Sequence, residues 1–318
     1  MIPASPPSPV NQLLNSSNIE SMALLAMTGT TNAEKVRLNL QQRIDSLAAP
    51  FFSSGTILQE ILRTCDAVIS GSSALHFLLP ITTTTWKPND LDLYVPHRYM
   101  RELTIRLQNL GYQQLPLNPH TSYSSPHILA VHKFALREKI IDVIMSSTSA
   151  AFSPIFLFDS TAVMNFISAD EIFSAYPDLT LQYKSLLNPH SLYKHPYSRI
   201  KLSHLQKYLD RGFKFIPCRE SHTSNFTCRS LGRTITDAGC LWINLHSGRR
   251  VPQHPANIFH QYGTLDVEWR LGGHICGSDC FLPPRIHVIE DKSQVFLSFP
   301  PYLLTLTRSF PRSYLYSR

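Results

Sequence analysis

A chain of 318 residues, 43% hydrophobic and only 16% charged, is long enough for a main domain with smaller appendages, and its composition excludes extensive disorder. With 29 Lys and Arg against 22 Asp and Glu, the formal charge of +7 favours nucleotides, nucleic acid or acidic surfaces, but the basic residues are scattered, so no dedicated nucleic-acid arm is expected. Six cysteines are too sparse for a disulfide scaffold, and no apolar segment approaches the roughly 18 residues of a membrane span.

Residues 1–20 are rich in Pro, Ser and Asn and read as a flexible tail, because such a segment buries too little apolar area to offset its chain entropy. No basic stretch leads into an apolar one near the start, so the expectation is an intracellular protein, in the cytoplasm or nucleus, with no membrane partner. Val36, Leu38, Leu40, Ile44 and Leu47 recur at nearly helical spacing within Asn32–Leu47, and Ile57–Leu62 suggests a second short helix. Both are expected to cover a sheet.

Cys65–Ser70 is β-prone, and Gly71-Ser72-Ser73 then leads into the apolar run from Ala74 to Leu79. The reading is strand, tight turn, helix, with Ser72 or Ser73 as candidate N-cap. Ile81–Pro88 reads as a loop. From Asp90 to Val95 the chain alternates: Leu91, Leu93 and Val95 share one face, and Asp90, Asp92 and Tyr94 the other, as in a half-buried strand. Arg101–Leu110 has helical spacing and stops at Gly111. His127–Ala135 and Lys139–Met145 are two β-prone runs close enough to form an antiparallel hairpin. Ser160 to about Arg211 reads as mainly helical, ahead of Gly212. Beyond Phe213 come short β-like pieces: Cys240–Leu245, Val267–Leu271 and Gln294–Ser298.

The Asp90-Leu91-Asp92 pair carries the most chemical information. Strand alternation aims both carboxylates at one face, with Cα atoms about 7 Å apart. Their mutual repulsion is about 2 kcal/mol at an effective dielectric near 20, and a cation between them reverses that sign. Oxygen-only ligands suit Mg2+ or Mn2+; a solvated pair on an exposed strand face is the plainer alternative. Asp142 sits among β-branched residues in Lys139–Met145, where an isolated carboxylate is costly unless it is paired or coordinated. An ion pair with a neighbouring Lys or Arg would satisfy it as well as a metal.

Ile69-Ser70-Gly71-Ser72, Asn89-Asp90-Leu91-Asp92-Leu93 and Ile141-Asp142-Val143 together resemble the polymerase-beta-type nucleotidyltransferase superfamily, over about residues 60–150. Phe158–Ile167 and Tyr208–Phe213 look like a largely uncharacterised fungal group within it. The resemblance implies a nucleotidyltransferase-like mixed sheet with covering helices over residues 21–155; with the helical lobe that the chain pattern suggests over 156–213 and a small irregular β-containing region of unknown role over 214–318, the expected class is α+β. It also implies a two-metal phosphoryl-transfer site with Asp90, Asp92 and Asp142 as both catalytic and metal-binding residues. Gly71, Ser72 and Ser73 would present backbone N–H groups to the phosphates at a helix start. Mg2+ or Mn2+ would be the cofactor, a nucleoside triphosphate the substrate and pyrophosphate the leaving group. The acceptor, whether RNA, protein or small molecule, stays open, as does a catalytically silent member serving as a binding or regulatory module. The connection from Ser73 to Asn89 is long for the superfamily, and a looped insertion at Ile81–Pro88 would absorb it.

Weaker features remain. Lys87, Lys133 and Lys139 lie near enough in sequence to meet phosphate, although solvated lysine is the simpler reading of each. Trp86 would stack on a base or pack beneath its own loop. Tyr208, Arg211 and Phe213 anchor a helix end, with Arg211 able to approach phosphate. His274, Cys276 and Cys280 form a His-x-Cys-x-x-x-Cys cluster to which Cys218 and Cys228 would add if folding gathers them. The spacing is not that of paired Cys-x-x-Cys zinc ligands, and buried free cysteine is the ordinary alternative.

Overall fold

The computed structural model describes residues 9–116, 127–188, 199–221, 231–253, 266–272 and 285–289, with Cys228, Ile258, Gln261, Tyr262 and Thr264. In chain order its helices are α1 (Pro9–Ser16), α2 (Ile19–Met27), α3 (Thr30–Ala48), α4 (Gly55–Thr64), α5 (Gly71–Leu78), α6 (Met100–Asn109), α7 (Pro177–Thr180) and α8 (Arg199–Asp210). The strands are β1 (Val68–Ser70), β2 (Leu91–Pro96), β3 (Gln113–Gln114), β4 (Ile128–Leu136), β5 (Lys139–Ser146), β6 (Asn165–Ile167), β7 (Glu171–Ser174), β8 (Lys184–Ser185), β9 (Lys214–Phe215), β10 (Arg233–Thr234), β11 (Leu241–Asn244), β12 (Asp266–Arg270) and β13 (Arg285–Ile289). The class is α+β.

Eight strands form the central sheet in the order β11-β7-β6-β1-β2-β5-β4-β3. All its neighbours run antiparallel except β2 and β5, which are parallel. That arrangement follows from the connections: β4 and β5 are joined by a two-residue turn at Arg137-Glu138, with Arg137 at φ 54°, whereas β2 reaches β5 only after α6, β3 and β4.

The alternation read from the sequence sorts the two faces. Leu91, Leu93, Val95, Ile141 and Val143 pack against Val36, Leu40 and Ile44 of α3, Leu58 and Ile61 of α4, and Leu103 and Leu107 of α6. On the other face Tyr94, Ile144, Phe166, Phe173 and Trp242 meet Phe152, Phe156 and Trp269. Stacked rings tie this second layer together, Phe152 on Phe166 at 4.7 Å and Phe156 on Trp269 at 4.2 Å between centroids. Trp269 belongs to a separate three-stranded sheet, β10-β12-β13.

Two expectations change. Residues 9–16, expected within a flexible tail, form α1, with Leu14 fully buried. The reason is Arg43: its buried guanidinium donates to the carbonyls of Leu14, Ser17, Phe77 and Leu79 at 3.0–3.2 Å, and to Asn39 Oδ1. One cation thus collects the C-terminal ends of α1 and α5, where the helix dipoles are negative. Secondly, the stretch expected to form a helical lobe supplies β6 and β7 to the main sheet, and β11, from the region assigned to an appendage, pairs with β7. Phe166, Ile167, Ile172 and Phe173 are all buried; a short apolar run of this kind does not by periodicity alone distinguish a buried strand from a helix.

The other boundaries follow the chain pattern. Gly111 lies at φ 90° and donates to Gln108 O, while Tyr112 N–H returns to Leu107 O, a Schellman closure of α6. The expected strand at Gln294–Ser298 lies outside the described residues. Among the described residues no helix is long and apolar enough to cross a membrane.

Candidate functional site

The site is assembled where β1 ends, α5 begins and β2 starts. In the sheet register Asp92 lies opposite Ser70 on β1 and opposite Asp142 on β5. Adjacent strands are about 4.8 Å apart and partnered residues share a face, so these three side chains form one row. Asp90, two residues before Asp92, adds its charge from the bend that precedes β2.

Gly71 makes the close approach possible. It opens α5 at φ 65°, and a Cβ placed there would sit 2.2 Å from Asp92 Oδ2. Glycine is therefore needed twice, for the left-handed backbone and for the space that the carboxylate fills. The serines around it do not act as the expected caps. The helix starts two or three residues earlier than read from the sequence, with Ser70 as N-cap and no side-chain cap hydrogen bond. Ser70 Oγ donates to Asn165 O at 2.6 Å, Ser73 Oγ donates to Asp90 O at 3.1 Å, and Ser72 Oγ accepts from Arg211 Nη1 at 3.0 Å. The hydroxyls thus tie the turn to β6, to the acidic strand and to α8.

Burial raises Asp92 to about 7, with the carboxylates of Asp90 and Asp142 adding to the effect and Lys207 and Lys133 opposing it. Its side chain keeps some accessible surface, yet crowding and like charge dominate. Asp142 is held differently: Lys133 Nζ donates to both of its oxygens, at 2.8 and 2.6 Å. Among the described residues no group of three or more His, Cys, Asp or Glu side chains is arranged to hold a metal ion. The oxygen-only chemistry of Asp90 and Asp92 suits one hard divalent cation, but the third acid is committed to a lysine.

The end of α8 faces these acids. Gly212, at φ 88°, donates to Leu209 O, and Phe213 N–H returns to Tyr208 O, so a second Schellman closure fixes Arg211 at the helix end. The Arg211 guanidinium lies 3.8 Å from the centre of the Trp86 ring and 5.5 Å from that of Tyr208. Trp86 also meets His76 edge-on at 5.2 Å. Its indole therefore packs beneath the loop and supports an arginine, leaving the base-stacking alternative without that face. Lys207, one turn before Arg211 on the same helix face, keeps much of its surface in solvent. Burial and the Arg211 charge lower its pKa, and Asp90 and Asp92 oppose this. Burial likewise lowers Arg211, with Tyr208 and Asp90 opposing, and raises Tyr208 to about 12.

Sequence reasoning named Asp90, Asp92, Asp142, Gly71, Ser72 and Ser73, and all six lie at this corner. It missed Lys207, and it read Lys133 as solvated. The Lys207/Arg211 spacing was visible, but nothing local in the sequence says which strand corner a helix over a hundred residues downstream will face. Lys139, at the start of β5, is exposed, and Lys87 registers through its charge on His76. Cys218 and Cys228 are buried with their sulfurs 3.1 Å apart; His274, Cys276 and Cys280 lie outside the described residues. No family model matches the chain, and no curated protein or solved structure matches it either.

Proposed function

We propose that this chain is a nucleotidyltransferase-fold enzyme that moves a nucleoside monophosphate from a nucleoside triphosphate to an acceptor, releasing pyrophosphate. The observation that carries the reading is the register placing Ser70, Asp92 and Asp142 in one row across β1, β2 and β5, beside a helix opened by Gly71. Asp90 and Asp92 would hold Mg2+ or Mn2+, which when bound supplies positive charge to the phosphoryl group in transfer. The first N–H groups of α5 give the phosphates directed donors. Arg211, fixed by Trp86, Ser72 and the helix closure, supplies a held cation on the opposite side, and Lys207 beside it adds a solvent-exposed one. Ordering of these groups before the substrate arrives is what lowers the barrier.

The test is pyrophosphate release from each of the four ribonucleoside triphosphates with Mg2+ or Mn2+, together with melting temperature. Release with at least one nucleotide, lost in Asp92→Asn, is expected. Absence of both release and any nucleotide-dependent rise in melting temperature would refute the proposal. A silent binding module is the second reading, favoured by the occupation of both Asp142 oxygens by Lys133; it is distinguished by a rise in melting temperature without pyrophosphate.

A further inference from the structure

Lys133 and Asp142 are direct partners across the antiparallel β4/β5 pair. Their side chains therefore project from the same face, the face that also carries Asp92. The contact is set by the strands themselves: pairing continues from His132 opposite Val143 to Leu136 opposite Lys139, and the hairpin turn closes it. Slippage by one residue would send Lys133 to the helix-covered face, where Phe134 and Ile141 are fully buried. The ion pair thus belongs to the sheet rather than to a loop. The ammonium takes both Asp142 oxygens, from the more open side: Lys133 has 46% of its side chain exposed and Asp142 13%.

Resting on the transferase reading above, we propose that Lys133 stands in for a second divalent ion, so that the site takes a single metal ion, on Asp90 and Asp92. The charges agree with this assignment. Before substrate binds, the acidic row itself, three carboxylates with the Lys133 ammonium, carries two net negative charges, which one divalent ion neutralises. A second ion would have to strip Asp142 from a two-bond contact with Lys133. Lys207 and Arg211 then serve the triphosphate rather than the acids. Asp142 becomes a positioning residue: it holds Lys133 over the row and adds its field to Asp92.

The test counts Mn2+ bound per full chain by native mass spectrometry and by electron paramagnetic resonance titration, with an equimolar mixture of the four α,β-methylene ribonucleoside triphosphates. One Mn2+ is expected in the wild type. It should be lost in Asp92→Asn and retained in Asp142→Asn with affinity changed less than about threefold, roughly 0.6 kcal/mol. Lys133→Met and Lys133→Gln should each admit a second Mn2+, while Lys133→Arg, which keeps the cation, should stay at one; unchanged circular dichroism secures the fold of each. Two ions in the wild type, one of them lost in Asp142→Asn, overturn the proposal and leave the transferase reading standing. A single ion in both Lys133→Met and Lys133→Gln also overturns it. Binding of no Mn2+ by any form overturns both.

Discussion

Replacing Asp92 by Asn is expected to stabilise the metal-free protein above neutral pH. Burial, then the Asp90 and Asp142 charges, raise the Asp92 carboxyl from its ordinary 3.8 to about 7. Between those values the native state keeps a proton that the unfolded chain has released. Stability therefore falls as pH rises through this window, and the loss is complete only above about 7. The full displacement corresponds to about 4 kcal/mol; solvent contact and local relaxation reduce that to about 2 kcal/mol. Urea midpoints of the wild type and Asp92→Asn, without divalent ions, should show the variant ahead by about 2 kcal/mol at pH 8, with about half of that advantage gone at pH 5. Mg2+ at pH 8 should then raise the wild type and leave the variant unmoved. A variant no more stable than the wild type at pH 8, or an advantage independent of pH, would refute the reasoning that burial, reinforced by like charge, keeps the Asp92 carboxyl protonated.

Gly71→Ala introduces a Cβ 2.2 Å from the place of Asp92 Oδ2 at a φ of 65°, and should cost about 2 kcal/mol or more in chemical denaturation while abolishing Mn2+ binding. Arg211→Ala removes the cation stacked on Trp86 and the donor to Ser72; nucleotide affinity, read by equilibrium titration, should fall about tenfold, on the order of 1.4 kcal/mol, with Arg211→Lys recovering only part because an ammonium does not reproduce the planar stack. Arg43→Met leaves the carbonyls of Leu14, Ser17, Phe77 and Leu79 without their shared donor and should lower stability by about 3 kcal/mol, seen as a reduced urea midpoint with little change in slope.

Much of the acidic corner was legible because its information is local. The two-residue period of Asp90–Val95 fixes which way Asp92 and Leu93 point, and Gly71 announces the turn before α5. The pairing of β4 with β5 could be read from two β-prone runs separated by a short turn. The rest depends on partners distant in the chain. The polar start of the chain folds onto the body because Arg43, buried in α3, needs carbonyl acceptors, and no window around Leu14 contains that requirement. β6 and β7 look helical or ambiguous in isolation, and only their layer of stacked aromatic rings settles them as strands. Lys133 reads as an ordinary surface lysine until the register sets it against Asp142. Lys207 is unremarkable until the closure at Gly212 and Phe213 aims the end of α8.

The pairing of β7 with β11 carries a consequence for biosynthesis. β7 ends at Ser174, and the strand that covers its open side begins at Leu241, so at roughly 5–20 residues per second a ribosome needs roughly 3–14 s to deliver it. Throughout that interval the nascent chain presents Ile172 and Phe173 on an uncapped row of amides and carbonyls, the kind of edge that recruits other chains. Production in a heterologous host should therefore improve when holdase chaperones are abundant or translation between the two segments is fast, and a stop codon placed shortly after Ser174 should yield insoluble material.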